Sequence, residues 1–173
     1  MAKYPNIEVG DLWTATLADS MLPDFILKTA ATTRPSTTTF ADDPDLVVAL
    51  AANATYFVEM IVRYATTSAA GFKTAWTVPA GVTSTTRTVM GAGSTQVDTA
   101  ADNDAGRYGL HNYATSISYG DRNNVSNQLI LIETSVVVTT TAGNVALQWA
   151  QDASTAVNTA VGSNSLIRAT RIA

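Results

Sequence analysis

One histidine, two glutamates set in apolar runs and two clusters of aspartates are the side chains of this 173-residue chain whose type and spacing could do chemistry. A Ser-His-Asp site needs a single histidine, and hydroxyls and acids abound, so composition alone leaves such a triad open. His111, in the run LHNYA, follows a long acidic stretch, and no G-x-S-x-G elbow is present, so it reads as a loop or interface residue. A glycosidase would set two carboxylates about 5 to 10 Å apart across a cleft. Glu59 lies in a strand candidate with Arg63 nearby, and Glu133 lies at the edge of another. A Glu–Arg pair satisfied across a sheet is the plainer account of them. Asp98, Asp102 and Asp104 offer hard oxygen ligands in the segment 98–109, where calcium stays open, although the spacing departs from the EF-hand pattern. Asp42, Asp43 and Asp45 surround Pro44 and read as a turn whose carboxylates accept local amides. There is no cysteine, so thiolate nucleophiles, Cys-ligated zinc and iron-sulfur centres are excluded. Neither G-x-x-x-x-G-K-[ST] nor G-x-G-x-x-G occurs. The expectation is a chain with no catalytic residue, no metal and no cofactor.

These groups must be positioned by a fold that the composition bounds. The chain is the size of one ordinary domain, and 46% of it is hydrophobic, enough to bury a core without staples. Only 14% is charged, well below the usual quarter, with Ala, Thr, Ser, Asn and Gly in place of charge. Such a skin suits a particle component or an oligomer, and a monomer with a Thr-rich surface would look the same. A net charge of -4 argues against a nucleic-acid track. No long apolar run follows Met1, so neither a secretory signal nor a membrane span is visible, and no membrane insertion is expected.

Along the chain, residues 11–28 read DLWTATLADSMLPDFILK, with Trp13, Leu17 and Met21 about one helical turn apart. Asp11 could cap a short helix that Pro23 ends, or the same residues could lie as an extended arm against a neighbour. Residues 29–39 are Thr-rich and aperiodic and read as a linker. From Phe40 onward, short apolar runs alternate with turn residues. At 55–64, Tyr56, Val58, Met60, Val62 and Tyr64 share one face, while Phe57, Glu59, Ile61 and Arg63 share the other. Bulk on both faces places this strand centrally in a sheet. Further strands fall at 72–78, 83–90, 129–132, 136–141, 145–150 and 166–172, and no long helical segment separates them. The predicted fold is a mostly β, antiparallel β-sandwich of jelly-roll type over 40–173, preceded by an N-terminal arm and linker over 1–39.

The aromatic residues divide into two groups. Tyr56, Tyr64, Trp76 and Trp149 fall on strand faces and read as core or subunit contact, whereas Tyr108, His111, Tyr113 and Tyr119 surround a loop-rich region and read as interface or ligand contact. Low charge density and the two-sided bulk of 56–64 predict self-association, as a homotrimer with Tyr56, Val58, Tyr64 and Trp149 at its interface.

The runs DDPDLVVAL, ATYFVEMIVRYAT, GFKTAWTVPAG, GNVALQWAQDAS and GSNSLIRATRI resemble a group of tailed-bacteriophage structural proteins of the minor tail, fibre or head-decoration type. The resemblance spans about residues 40–172 and consists of patterned strands. It implies a trimeric jelly roll similar to the complement and tumour necrosis factor type. Tyr56, Phe57, Val58 and Tyr64 then match an aromatic strand near the threefold axis, Leu147, Trp149 and Gln151 the penultimate strand, and Ser165, Leu166 and Arg168 the last. Gly-X-Y and heptad shafts, common in long fibres, are missing, which favours a decoration or small spike protein.

On this reading the protein is non-enzymatic and resides on the virion, on capsid surface or tail, after assembly in the host cytoplasm. Its arm residues Trp13, Leu17, Leu22, Phe25 and Ile26 dock on the major capsid protein or a tail protein of the same phage. Its outward domain supports capsid stability or host-surface adhesion. The alternatives are a minor tail or fibre protein that binds a receptor or host-surface glycan, and a polysaccharide-active enzyme using Glu59, Glu133 or the 98–104 loop.

Overall fold

The computed structural model describes Pro5, residues 7–95 and residues 106–173. The aspartate segment 98–104 lies outside the described residues. One short helix, α1 (Ala15–Ser20), precedes twelve strands among the described residues: β1 (Asp24–Leu27), β2 (Thr32–Arg34), β3 (Ala41–Leu50), β4 (Ala54–Thr66), β5 (Phe72–Thr77), β6 (Thr86–Ala92), β7 (Gly106–Asn112), β8 (Ile117–Tyr119), β9 (Asn124–Thr139), β10 (Gly143–Ala150), β11 (Thr159–Val161) and β12 (Leu166–Arg171). They form two antiparallel sheets packed as a sandwich. The larger runs β1-β12-β4-β9-β6-β7, with β11 joining β4 and β2 joining β11, and the smaller runs β3-β10-β5-β8.

β4 shows why the layers form. Its alternation buries Val58, Met60, Val62 and Tyr64 completely or nearly so, and it is hydrogen-bonded to β12 on one side and β9 on the other, as its two-sided bulk predicts. Leu46, Val48, Val145, Leu147, Phe72 and Ile117 from the smaller sheet complete the core. Aromatic rings bridge the layers, with Tyr64 stacked on Phe72 at 4.4 Å and Phe72 beside Trp149 at 5.9 Å. Tyr56, Val58, Tyr64 and Trp149 therefore belong to the chain's own core, each no more than 6% exposed, and are not available as a trimer interface. The sequence pattern could not separate the two roles, because a core and an interface bury the same aromatic types.

The amino-terminal region differs from an arm on a linker. Thr14, not Asp11, caps α1, its hydroxyl accepting the Leu17 amide at 3.1 Å. β1 then pairs with β12, and β2 with β11, so the sandwich takes in residues 24–34, ahead of the boundary predicted at residue 40. Arg34 fixes β2 to the core by donating to the Ala41, Asp42 and Trp149 carbonyls while its guanidinium lies 4.1 Å over the Trp149 ring. A second difference concerns 129–141. Glu133-Thr134-Ser135 does not break the run, and β9 passes through it as a sixteen-residue strand. His111 lies on β7, not in a loop.

Gly91 illustrates how closely the layers approach. A Cβ there would stand 2.8 Å from the Tyr119 ring and 3.1 Å from the Leu131 Cβ. The Tyr119 ring is pinned by its hydroxyl bond to Glu133, so it cannot swing away. Gly91→Ala is expected to destabilise the fold by about 1 to 3 kcal/mol through overpacking, read as a lowered urea midpoint at unchanged slope.

Candidate functional site

The acids that could have done chemistry are placed by the pleat on opposite sides of one sheet. Glu133 stands opposite Met60, and Glu59 opposite Thr134, so Glu133 points into the core and Glu59 outward. Glu59 pairs with Arg168 on the neighbouring β12 at 2.8 Å, rather than with Arg63. The two carboxylates cannot flank one bond.

Glu133 is fully buried and saturated. Its Oε1 accepts from Thr74 Oγ1 at 2.5 Å and from the Tyr119 hydroxyl at 2.7 Å. Its Oε2 accepts from Trp76 Nε1 at 2.5 Å and lies 3.0 Å from Arg87 Nε. Arg87, itself fully buried, turns its remaining donors to the carbonyls of Thr74, Tyr113 and Thr115. Burial lowers the Arg87 guanidinium from its ordinary value, and the Glu133 charge opposes that shift. Burial, followed by the same Glu133 charge and its hydrogen bond, pushes the Tyr119 phenol up. This centre joins β9 and β6 of one sheet to β5 and β8 of the other, and its chemistry is that of a buried, compensated ion pair. A Glu–Arg pair was anticipated for Glu133, but its partner comes from a strand distant in sequence.

The predicted surface aromatics divide accordingly. Tyr119 is core, and Tyr113 is buried with its hydroxyl bonded to Ser135 at 2.7 Å and Ser84 at 3.0 Å. His111 is half-buried opposite Arg87 on the ladder. Tyr108 alone of the four is open, at 78% exposure. Of the arm residues, Trp13, Leu22 and Phe25 are exposed, Leu17 is half-buried, and Ile26 packs on the core.

What the structure does assemble is an apolar outer face on the larger sheet. Residues opposite one another in an antiparallel ladder share a face. Following the register from strand to strand, Leu27 meets Leu166, then Ile61, Ile132, Met90 and Tyr108. This row crosses six strands, about 24 Å at the usual strand spacing. The adjoining row runs Phe25, Arg168, Glu59, Thr134, Thr88 and Leu110, so the Glu59–Arg168 pair is the charge at its centre. Phe57 and Val136 lie beyond it, and Ile130 extends the face on the other side. A groove of about 420 Å³ on this face is lined mostly by hydroxyl side chains, Thr88 and Thr134 among them, with Phe57, Leu110 and Val136 as its apolar wall. Leu110 and Ile130 are 70% and 50% exposed. None of Ile61, Met90, Ile130 and Ile132 was singled out from the sequence as a contact residue, although the alternation Ile130, Ile132, Val136 was there to be read.

Among the described residues, no group of three His, Asp or Glu side chains converges as a metal site would require, and no helix is long and apolar enough to cross a membrane. No protein-family model, no curated protein and no solved structure matches the chain.

Proposed function

We propose that this chain is a non-enzymatic structural component of a bacteriophage virion, a decoration or small spike protein that self-associates as a homotrimer. The observation that carries the reading is the six-strand apolar row from Leu27 to Tyr108, half-buried along its middle and exposed at both ends, on an outer face wider than a solitary sandwich needs. The interface is accordingly assigned to this outer face instead of the aromatic core. Jelly-roll topology is part of the proposal. Counted from β3 to β10, the eight strands lie first-eighth-third-sixth in one sheet and second-seventh-fourth-fifth in the other, which is the order two nested Greek keys produce. The resemblance to tailed-phage proteins supplies the virion setting by analogy. The exposed Trp13 and Leu22, with neighbouring Leu12 and Met21, supply the attachment arm. The polysaccharide-active alternative loses support because Glu59 and Glu133 point to opposite faces.

Light scattering at micromolar concentration tests the association. The expected mass is three times 18.1 kDa, and a monomer would overturn it. Ile61→Lys with Ile132→Lys puts two charges at the centre of the row without touching the core. The double variant is expected to lose about 3 kcal/mol or more of association energy, weakening the trimer roughly a hundredfold while its β-rich dichroism is kept. Truncation before Pro23, which spares β1, is expected to leave trimers that no longer enter particles. Normal incorporation would place attachment elsewhere.

A further inference from the structure

Where β1 ends, the chain places an amine and a carboxylate together out of water. Lys28, the residue after β1, is fully buried, and its Nζ lies 2.9 Å from Oδ1 of Asp43, also fully buried. The same Nζ reaches Asp45 Oδ2 at 2.5 Å and Thr32 Oγ1 at 2.7 Å. The reason the acid lies there is a break in the β3–β10 ladder. Register runs from Val47 opposite Ala146 to Asp42 opposite Gln148, so residues 43–46 bulge opposite Leu147, with Pro44 inside the bulge. In that bulge Asp43 Oδ1 accepts the amides of Asp45 at 3.0 Å and Leu46 at 3.2 Å, while Oδ2 accepts Trp149 Nε1 at 3.0 Å. The Lys28 backbone is held as well, its N–H donating to Ser165 and its carbonyl accepting from Asn164, each at 2.8 Å. The Asp45 side chain is 48% exposed, which gives this closed pair one route to solvent.

We propose that Lys28 and Asp43 condense into an intramolecular amide that covalently clamps the amino-terminal strand to β3. Four features point the same way. The nucleophile and acceptor are held in contact by fixed backbone, which converts a bimolecular condensation into a local one. Three N–H donors already surround the carboxyl group where negative charge gathers in a tetrahedral intermediate. A second carboxylate touches the amine and can carry protons. Burial penalises the separated charges and keeps out the water that would reverse the reaction, and the amide removes both charges.

The step balances without any added reagent. Asp45 takes one proton from the Lys28 ammonium, and the freed Nζ lone pair attacks Cγ of Asp43, forming the N–C bond. The Cγ–Oδ1 bond breaks, and Oδ1 leaves as water with the proton relayed by Asp45 and one more from the nitrogen. The third ammonium proton stays on the amide, Oδ2 remains as its carbonyl oxygen on Trp149 Nε1, and Asp45 ends as the carboxylate it began. Nothing is oxidised or reduced.

The bond closes the chain between positions 28 and 43, so a pull on the exposed Trp13–Leu22 region reaches β3 through covalent bonds instead of through the four-residue pairing of β1. The test is the intact mass of the purified full chain, denatured after folding. The expected mass is lighter than the sequence by one water, with a peptide pair joined at Lys28 and Asp43 in tandem spectra. A chain at full sequence mass overturns the proposal and leaves an ion pair only. Loss of water that persists in Lys28→Arg, or a link to Asp45, overturns it equally. Asp45→Asn, altering a half-exposed side chain, is expected to fold and to form the link about a hundredfold more slowly. An unchanged rate in that variant would overturn the proton relay.

Discussion

Glu133→Gln is expected to destabilise the protein by about 3 to 5 kcal/mol, the cost of leaving a buried charge without its partner. The shape is retained, so no cavity term enters. What changes is the hydrogen-bond sense and the charge. A glutamine carbonyl can still accept from Thr74 and Tyr119, but its amide nitrogen must then face Trp76 Nε1 and Arg87 Nε, both donors. Arg87 is left as a fully buried cation without its anion, held only by backbone carbonyls. For a chain of this length the loss corresponds to a fall in Tm of roughly 6 to 20 °C. Calorimetry reads it directly, and a fall of under about 2 °C would mean that the Glu133–Arg87 contact contributes nothing to stability. The outward Glu59→Gln is the control. Its pair with Arg168 is partly exposed and is expected to contribute no more than about 1 kcal/mol.

Stability is also expected to fall steeply in alkali. Burial, reinforced by the Asp121 charge, raises the Tyr64 phenol, and burial reinforced by Glu133 raises Tyr119. In the unfolded chain both phenols ionise near pH 10, whereas in the fold both stay protonated well above it. The folded state then binds more protons than the unfolded one, and the sign of the linkage is fixed. Their contribution is fully present below about pH 10 and is lost as pH rises beyond it, by about 1.4 kcal/mol per pH unit for each tyrosine. Two such groups give a slope near 2.7 kcal/mol per pH unit, enough to consume an ordinary domain stability within a few units. Urea midpoints between pH 9 and 12 test this. Tyr64→Phe, which removes the hydroxyl that donates to the Gly120 carbonyl at 2.6 Å, is expected to halve the slope while lowering stability at neutral pH. A midpoint independent of pH would show that the two phenols are not buried as the fold places them.

The sandwich class was legible because β4 states it locally. Alternate positions of one strand point to opposite faces, so Tyr56 to Tyr64 shows both its buried side and its central place without reference to any other strand. The charged centres were legible only in part. A carboxylate in an apolar run must find a donor, which is why Glu133 could be read as half of a Glu–Arg pair, but Arg87 lies 46 positions earlier and is brought to it by the β6–β9 ladder. The polar triplet Glu133-Thr134-Ser135 looked like a break because polarity is the only turn signal a single strand carries. The ladders to β4 and β6 make it a strand, and the side chains that satisfy it, Thr74, Trp76, Tyr119 and Tyr113, all lie outside β9.

The same division governs the surface. The amino-acid sequence by itself determined the layer type, the absence of thiol chemistry, the low charge and the strand faces, since each depends on residue type or on a period of two. Only the tertiary structure decided which aromatic residues are core and which lie open to solvent. Tyr113 and Tyr119 look no different from Tyr108 in sequence, yet two are buried and one is open, because Tyr108 stands on the outer face of β7 opposite Met90 while Tyr119 and Tyr113 turn inward to bond Glu133 and Ser135. Likewise, six apolar residues from six strands become one row only when register is set, and register is a property of strand pairs, not of any strand alone.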